Sequence, residues 1–164
     1  MGIVEFLEAR IAEDEAVAKA ALHHPRTYNK ATQDFDQTGT DNGSWHTSSF
    51  CDPSDQRMVE GVGITIYNEG GHTAEQADHI ARHDPARILR EVAAKRAVVV
   101  EHKLVPAKNV WGESTGGFGC ELCDSTPDLD LGGIEIERSD GCKTLRTLAV
   151  IFSDHPDFDE EWRP

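Results

Sequence analysis

The sequence predicts an α+β fold: an N-terminal helix, a small antiparallel sheet, a bent pair of central helices, and a cysteine-bearing C-terminal segment that ends in a helix. Three observations carry that expectation. Apolar residues recur at helical spacing near the start of the chain and again in its middle. Between those regions the chain is polar and rich in Asp, Asn, Gly, Ser and Thr, with isolated aromatics, as short strands in long loops would be. Beyond the second helical region it becomes glycine-rich and holds three of its four cysteines.

The first predicted helix covers residues 3–22. Ile3, Phe6, Leu7, Ile11, Val17 and Ala18 share one face, with Glu8, Arg10, Glu13 and Glu15 largely elsewhere. The step His23-His24-Pro25 ends it, because a residue before proline is pushed out of the helical region. From Arg26 to Ser54, the residues Tyr28, Phe35, Trp45 and Phe50 stand as anchors. Met58 to Tyr67 reads as the best strand, with Val62, Ile64 and Ile66 alternating with Gly63, Thr65 and Tyr67, closed by a turn at Asn68-Glu69-Gly70-Gly71.

Thr73, with Gln76 three residues on, predicts a capping box, and Ala77, Ile80 and Ala81 supply the inner face of the helix it opens. Asp84 as cap and Pro85 as first helical residue start a second helix at an angle to it. That helix is expected to reach Lys103, with Ile88, Leu89, Val92, Val99 and Val100 inward, and to be stopped by Pro106. A short strand over residues 133–137 and a last helix from Lys143 to Phe152, with Leu145, Leu148, Ala149 and Phe152 inward, complete the reading. A length of 164 residues predicts a single domain, in which 1–104 form a helix-sheet-helix core and 105–164 a cysteine-rich, metal-stapled segment.

Composition narrows the partners. Against 16 Lys and Arg stand 30 Asp and Glu, a net charge of −14. Such a surface repels phosphate backbones, so direct nucleic-acid binding is not expected; it suits a solvated acidic face, or a protein partner with a basic surface. No stretch approaches the roughly 20 apolar residues of a membrane span. Glu5, Glu8, Arg10, Glu13, Asp14 and Glu15 break any apolar run in the first 22 residues, so no export signal is expected and the cytoplasm is the expected compartment.

The strongest chemical signal is His102, then Cys120 and Cys123 as a C-x-x-C, then Cys142. Zinc takes four tetrahedral ligands from thiolate and imidazole, and a C-x-x-C turn can place two thiolates on one ion. A structural zinc would supply folding energy that a segment poor in apolar residues lacks. Free thiols or a redox pair are the alternatives, although no βαβ setting surrounds Gly119-Cys120-Glu121-Leu122-Cys123. Cys51 stands apart among polar residues.

Weaker signals lie upstream. His79 and His83 share a helical face at i, i+4 beside Asp84, a spacing that could hold a hydrolytic metal. Ile80 stands where a zinc protease would carry its Glu, and Asp84 is as readily a helix cap. Tyr28, Trp45, His79, Arg82, His83 and Arg87 are the candidate residues for a small nucleotide-like ligand. Trp45, Trp111 and Trp162 are equally suited to a small core. No nucleophile elbow, phosphate loop or dinucleotide fingerprint occurs, so no catalytic residue is assigned.

Several blocks are distinctive: Phe6-Leu7-Glu8-Ala9-Arg10-Ile11-Ala12-Glu13-Asp14-Glu15, then His79-Ile80-Ala81-Arg82-His83-Asp84-Pro85-Ala86-Arg87, then Thr144-Leu145-Arg146-Thr147-Leu148-Ala149, and an ending of Asp154-His155-Pro156-Asp157-Phe158 and Trp162-Arg163-Pro164. Together they resemble a family of small uncharacterised proteins from actinobacteria and their phages. The resemblance implies no activity or substrate. It implies a His after the long helix, a C-x-x-C, and a Cys before Thr-Leu-Arg, matched here by His102, Cys120, Cys123 and Cys142. The chain departs from the family's Thr-Pro-Gly-Pro-Trp-like step, having His24-Pro25-Arg26-Thr27-Tyr28, and its segment between Cys123 and Cys142 is longer. The function expected is that of a non-enzymatic, zinc-stabilised accessory protein, a phage or mobile-element modulator of a host factor. A nucleotide-like ligand module and a metal-dependent hydrolase at His79, His83 and Asp84 are the alternatives.

Overall fold

The first helix, α1, runs from Ile3 to Ala20. In the computed structural model, the described residues are 1–22, 26–37, 41–49, 54, 56–67, 69, 71–139 and 142–164, with no side-chain description at 26–28 and 35–37. The His23-His24-Pro25 step, Phe50 and Cys51 therefore lie outside the described residues, as do the side chains of Tyr28 and Phe35. The chain divides into two compact units, Met1–Ala12 with Ala93–Pro164, and Glu13–Val92.

In the unit Glu13–Val92, strands β1 (Arg26–Asn29) and β2 (Asp34–Gln37) form an antiparallel hairpin. Strands β3 (His46–Ser48), β4 (Met58–Gly61) and β5 (Ile64–Ile66) form a second antiparallel sheet in the order β3-β4-β5. The single strand expected over Met58–Tyr67 is thus a hairpin. Gly63 adopts φ +70°, a conformation that breaks an extended strand and that glycine enters without steric cost. Alternation of apolar residues continues across this turn, so periodicity alone did not reveal it. A side chain at Gly61 would stand 2.4 Å from Cδ1 of Trp45, so the sheet closes on the indole only with glycine there.

Helix α2 (Ala74–Arg82) covers this sheet, with Val59, Ala77 and Ala81 as its core and Trp45, Ile66 and Ile80 packed around them. The expected capping box is present: Gln76 N–H donates to Thr73 Oγ1 at 3.3 Å and Thr73 N–H to Gln76 Oε1 at 2.8 Å. Helix α3 (Pro85–Glu101) follows, its start capped by Asp84, whose Oδ1 accepts from Arg87 N–H at 2.7 Å. Val92 and Val99 are buried as expected, but Val100 is 70% exposed. Three consecutive valines at 98–100 span more of the helix than one face can bury.

The other unit contains the largest difference from the sequence reading. The glycine-rich, cysteine-bearing segment, in which one short strand was expected, forms a four-stranded antiparallel sheet: β6 (Leu104–Lys108), β7 (Ser114–Cys120), β8 (Ser125–Pro127) and β9 (Ile134–Ile136), in the order β7-β6-β9-β8. Only the region of β9 was anticipated. α3 ends at Glu101, two residues early, and Pro106 lies inside β6 instead of stopping the helix. The register shifts between Pro106 and Lys108, and such an irregularity accommodates a residue that has no N–H to donate. β7 reads Ser-Thr-Gly-Gly-Phe-Gly-Cys, which has neither β-branched enrichment nor alternation to mark it as a strand.

Helix α4 (Lys143–Ala149) runs into a 3-10 turn at Val150–Phe152, and a second such turn lies at Glu160–Trp162. Within this unit the C-terminal segment wraps Phe6, which is fully buried. Its ring meets Trp162 at a centroid distance of 4.9 Å, and Phe158 and Phe152 edge-on at 6.1 and 6.3 Å. Arg10 departs from its expected polar position. Three and four residues on from Leu7 and Phe6, it falls on the buried stripe, with its guanidinium over the Phe6 ring at 5.6 Å and its Nη1 against Nε2 of His155. Val17, expected inward, is 73% exposed. Replacing Phe6 with Ala removes the ring that this segment wraps; a loss of about 3–5 kcal/mol is expected, read as a lower denaturation midpoint together with a weakened near-ultraviolet signal from Trp162.

Candidate metal centre

Four side chains from three structural elements converge in the unit Met1–Ala12 with Ala93–Pro164. His102 is the residue after the last turn of α3, still tied to it by its N–H donating to Val98 O at 3.0 Å. Two residues on, β6 begins, and its first residue, Leu104, pairs with Cys120 at the end of β7. That pairing fixes Cys120 beside the helix end. The chain then turns tightly: Asp124 N–H donates to Cys120 O at 3.0 Å, and Cys123 N–H to Cys120 Sγ at 3.4 Å. Cys142 arrives as the N-cap of α4, its Sγ accepting from Leu145 N–H at 3.5 Å.

His102 Nδ1 lies 3.6, 3.3 and 3.6 Å from the sulfurs of Cys120, Cys123 and Cys142, and all four ligand atoms fall within 4.8 Å of one another. A nitrogen about 2.0 Å and a sulfur about 2.3 Å from a shared ion, at a tetrahedral angle, stand about 3.5 Å apart. The three nitrogen–sulfur separations agree with that figure, so these four residues could hold a tetrahedral ion. Cys120 and Cys142 are buried, His102 is half-buried, and Cys123 is exposed. Among the described residues, no other group of three or more His, Cys, Asp or Glu side chains is gathered in this way.

Electrostatics bear on how a cation would enter. Burial, opposed in part by the Leu145 N–H, pushes the Cys142 thiol up from 9.0 to about 11. Burial, aided by the hydrogen bond with Cys120, also raises Cys123. Without a cation these thiols are therefore protonated at neutral pH. A divalent ion supplies the charge that makes the thiolates favourable, and its binding releases their protons.

Two residues that the sequence reading missed shape the site. Asp124, directly after the C-x-x-C, accepts with Oδ2 from Cys120 N–H at 2.6 Å and from Ser139 Oγ–H at 2.6 Å, tying the turn to the segment that follows β9. Gly119 lies so close to that segment that a Cβ would fall 2.0 Å from Glu137 O. The sequence signal was the run Gly-Cys-x-x-Cys-Asp itself, in which the flanking residues looked incidental.

The other candidates are differently placed. His79 and His83 do lie together, ring centroids 4.3 Å apart, and both are exposed; His83 Nδ1 lies 2.8 Å from His79 O. Asp84 does not complete a group with them, since its carboxylate accepts from the Trp45 and Arg87 N–H groups as a helix cap. Arg87 pairs with Glu91 at 2.6 Å, Arg82 is exposed on α2, and Trp45 packs against the Val59 core. Trp162 is buried as expected, whereas Trp111 is 72% exposed.

Two outcomes follow from this geometry. Gly119→Ala forces β7 away from Glu137 and should lower stability by about 1–3 kcal/mol, with weaker metal retention in competition with a chromophoric chelator. The folded-state pKa of Cys142 lies above its value of 9.0 in an unfolded chain. Its contribution to stability is therefore complete below about pH 9 and is lost as pH rises toward about 11. Denaturant midpoints of the metal-free chain should fall across that interval, and a Cys142→Ala chain should show less of the fall.

No curated protein and no solved structure matches this chain. The model of a family described as "Family of unknown function (DUF6221)" matches residues 1–164, and the chain belongs to that family.

Proposed function

We propose that this chain is a non-enzymatic accessory protein, stabilised by one structural zinc ion held by His102, Cys120, Cys123 and Cys142, and acting through contact with another protein. The observation that carries the reading is the convergence of four protein ligand atoms within 4.8 Å. A site with four protein ligands leaves no coordination position for water or substrate, which is the arrangement of a structural ion and not of a hydrolytic one. Three sulfurs and an imidazole favour zinc over the hard cations, which take oxygen ligands.

The ion would supply folding energy, on the order of 10 kcal/mol or more for such sites. His102 would fix the end of α3, the Cys120–Cys123 turn would hold the edge of the sheet, and Cys142 would anchor the start of α4. The net charge of −14 favours a partner with a basic surface and disfavours a phosphate backbone. A cytoplasmic protein encoded by a phage or mobile element, and modulating a host factor, fits that charge and the resemblance noted above. His79 and His83 have no part in this reading.

Elemental analysis of protein purified under reducing conditions tests it. One zinc per chain is expected, with loss of the metal and a large fall in thermal midpoint for Cys120→Ser. The double variant His79→Ala/His83→Ala should keep one zinc per chain. Purified chain without stoichiometric metal, or zinc retained by Cys120→Ser and lost by the histidine variant, would sink the proposal.

A further inference from the structure

An open groove of about 600 Å³ lies in the unit Met1–Ala12 with Ala93–Pro164, between the first turns of α1, the end of α3 and the β6–β7 pair. Its lining is mostly apolar: Val4 from α1, Val99 and Val100 from α3, Leu104 from β6 and Phe118 from β7. Val100 and Phe118 are 70% and 56% exposed, so two large apolar side chains from different elements present themselves to the same depression. Neither is needed for the core. Val99, and not Val100, is the buried valine of that helical turn, and the register of β7 is carried by its backbone. Exposed apolar surface that is gathered, not scattered, marks an interaction site.

The rim carries the sign of the partner. Glu5 and Glu8 stand three residues apart on α1, both exposed, and both border the groove. Among the described residues of its lining, the cation is Lys103, which pairs with Glu121 at 2.6 Å. The groove therefore offers an apolar floor and an acidic edge. Its complement is an amphipathic segment with a few bulky apolar residues flanked by Lys or Arg, the helix-in-groove mode of recognition. A second copy of this chain is a poor occupant, since it would bring another −14 of net charge against the same rim.

We infer that the groove between Glu5, Glu8, Val100 and Phe118 docks a basic amphipathic segment of a partner protein. The inference rests on the proposed role in protein contact and gives that role a surface and a partner chemistry. It does not depend on the metal, so the two can fail separately.

The test uses the 164-residue chain as purified under reducing conditions and a fluorescently labelled helical peptide of Leu and Lys, read by anisotropy at physiological salt. A Leu and Glu peptide of the same length serves as the counterpart. Saturable binding of the Lys peptide is expected, at least tenfold weaker in Val100→Glu and in Phe118→Glu. These substitutions discriminate because each adds a carboxylate: attraction to charge alone would tighten binding, whereas loss of the apolar seat weakens it. Glu5→Lys/Glu8→Lys should weaken it also. Val100→Glu, on the exposed face of a helix, keeps the test valid should Phe118→Glu misfold. No binding by the wild type, equal binding of the Leu and Glu peptide, or unchanged or tighter binding in Val100→Glu would overturn the inference. So would a wild-type dimer in sedimentation velocity that Val100→Glu dissociates, which would assign the groove to a second copy. None of these results alters zinc stoichiometry, so the metal reading would stand or fall on its own assay.

Discussion

The convergence of one imidazole and three sulfurs is the constraint around which the unit Met1–Ala12 with Ala93–Pro164 is organised. Its four members come from the end of a long helix, the end of a strand with the turn after it, and the start of a short helix. Cys120 and Cys142 are among the most buried residues of the chain, in positions that a core would ordinarily give to Leu or Ile. Sulfur packs well enough there, yet three thiols and an imidazole so close together make a poor hydrophobic core. The cluster has the residue types and the spacing of a potential metal site.

The surroundings of that cluster hold its members in place. The Leu104–Cys120 pairing, the Asp124 carboxylate on Cys120 N–H and Ser139, and the close approach of Gly119 to Glu137 fix the turn before any ion is considered. Elsewhere in the same unit, Phe6 gathers Phe152, Phe158 and Trp162, giving the C-terminal segment a conventional apolar anchor. A polar cluster and an aromatic one thus hold the two ends of α4 and the turns after it: Cys142 caps its first residue, and Phe152 follows its last turn.

Function enters through what these two clusters leave uncommitted. Among the described residues His79 and His83 lie together, and Asp84 serves as a helix cap. The groove beside α1 has an apolar lining on which Val100 and Phe118 are exposed, and an acidic rim consistent with the charge of the whole chain.

Local rules made much of this legible in the sequence. The capping box at Thr73 and Gln76, the Asp84-Pro85 helix start, the face of α1 and the grouping of His102 with Cys120, Cys123 and Cys142 all depend on residues close in sequence or on a recognisable spacing. The sheet around the His/Cys cluster was not legible, because β7 is built on three glycines and β6 contains a proline; their strand character comes from pairing partners and a register shift, not from propensity. The turn at Gly63 escaped notice because apolar alternation runs through it unbroken. Which of Val99 and Val100 faces inward, why Arg10 is buried, and why Gly119 and Asp124 flank the C-x-x-C were likewise decided by neighbours distant in the chain. Periodicity fixes which side chains share a face; only tertiary packing decides what that face meets.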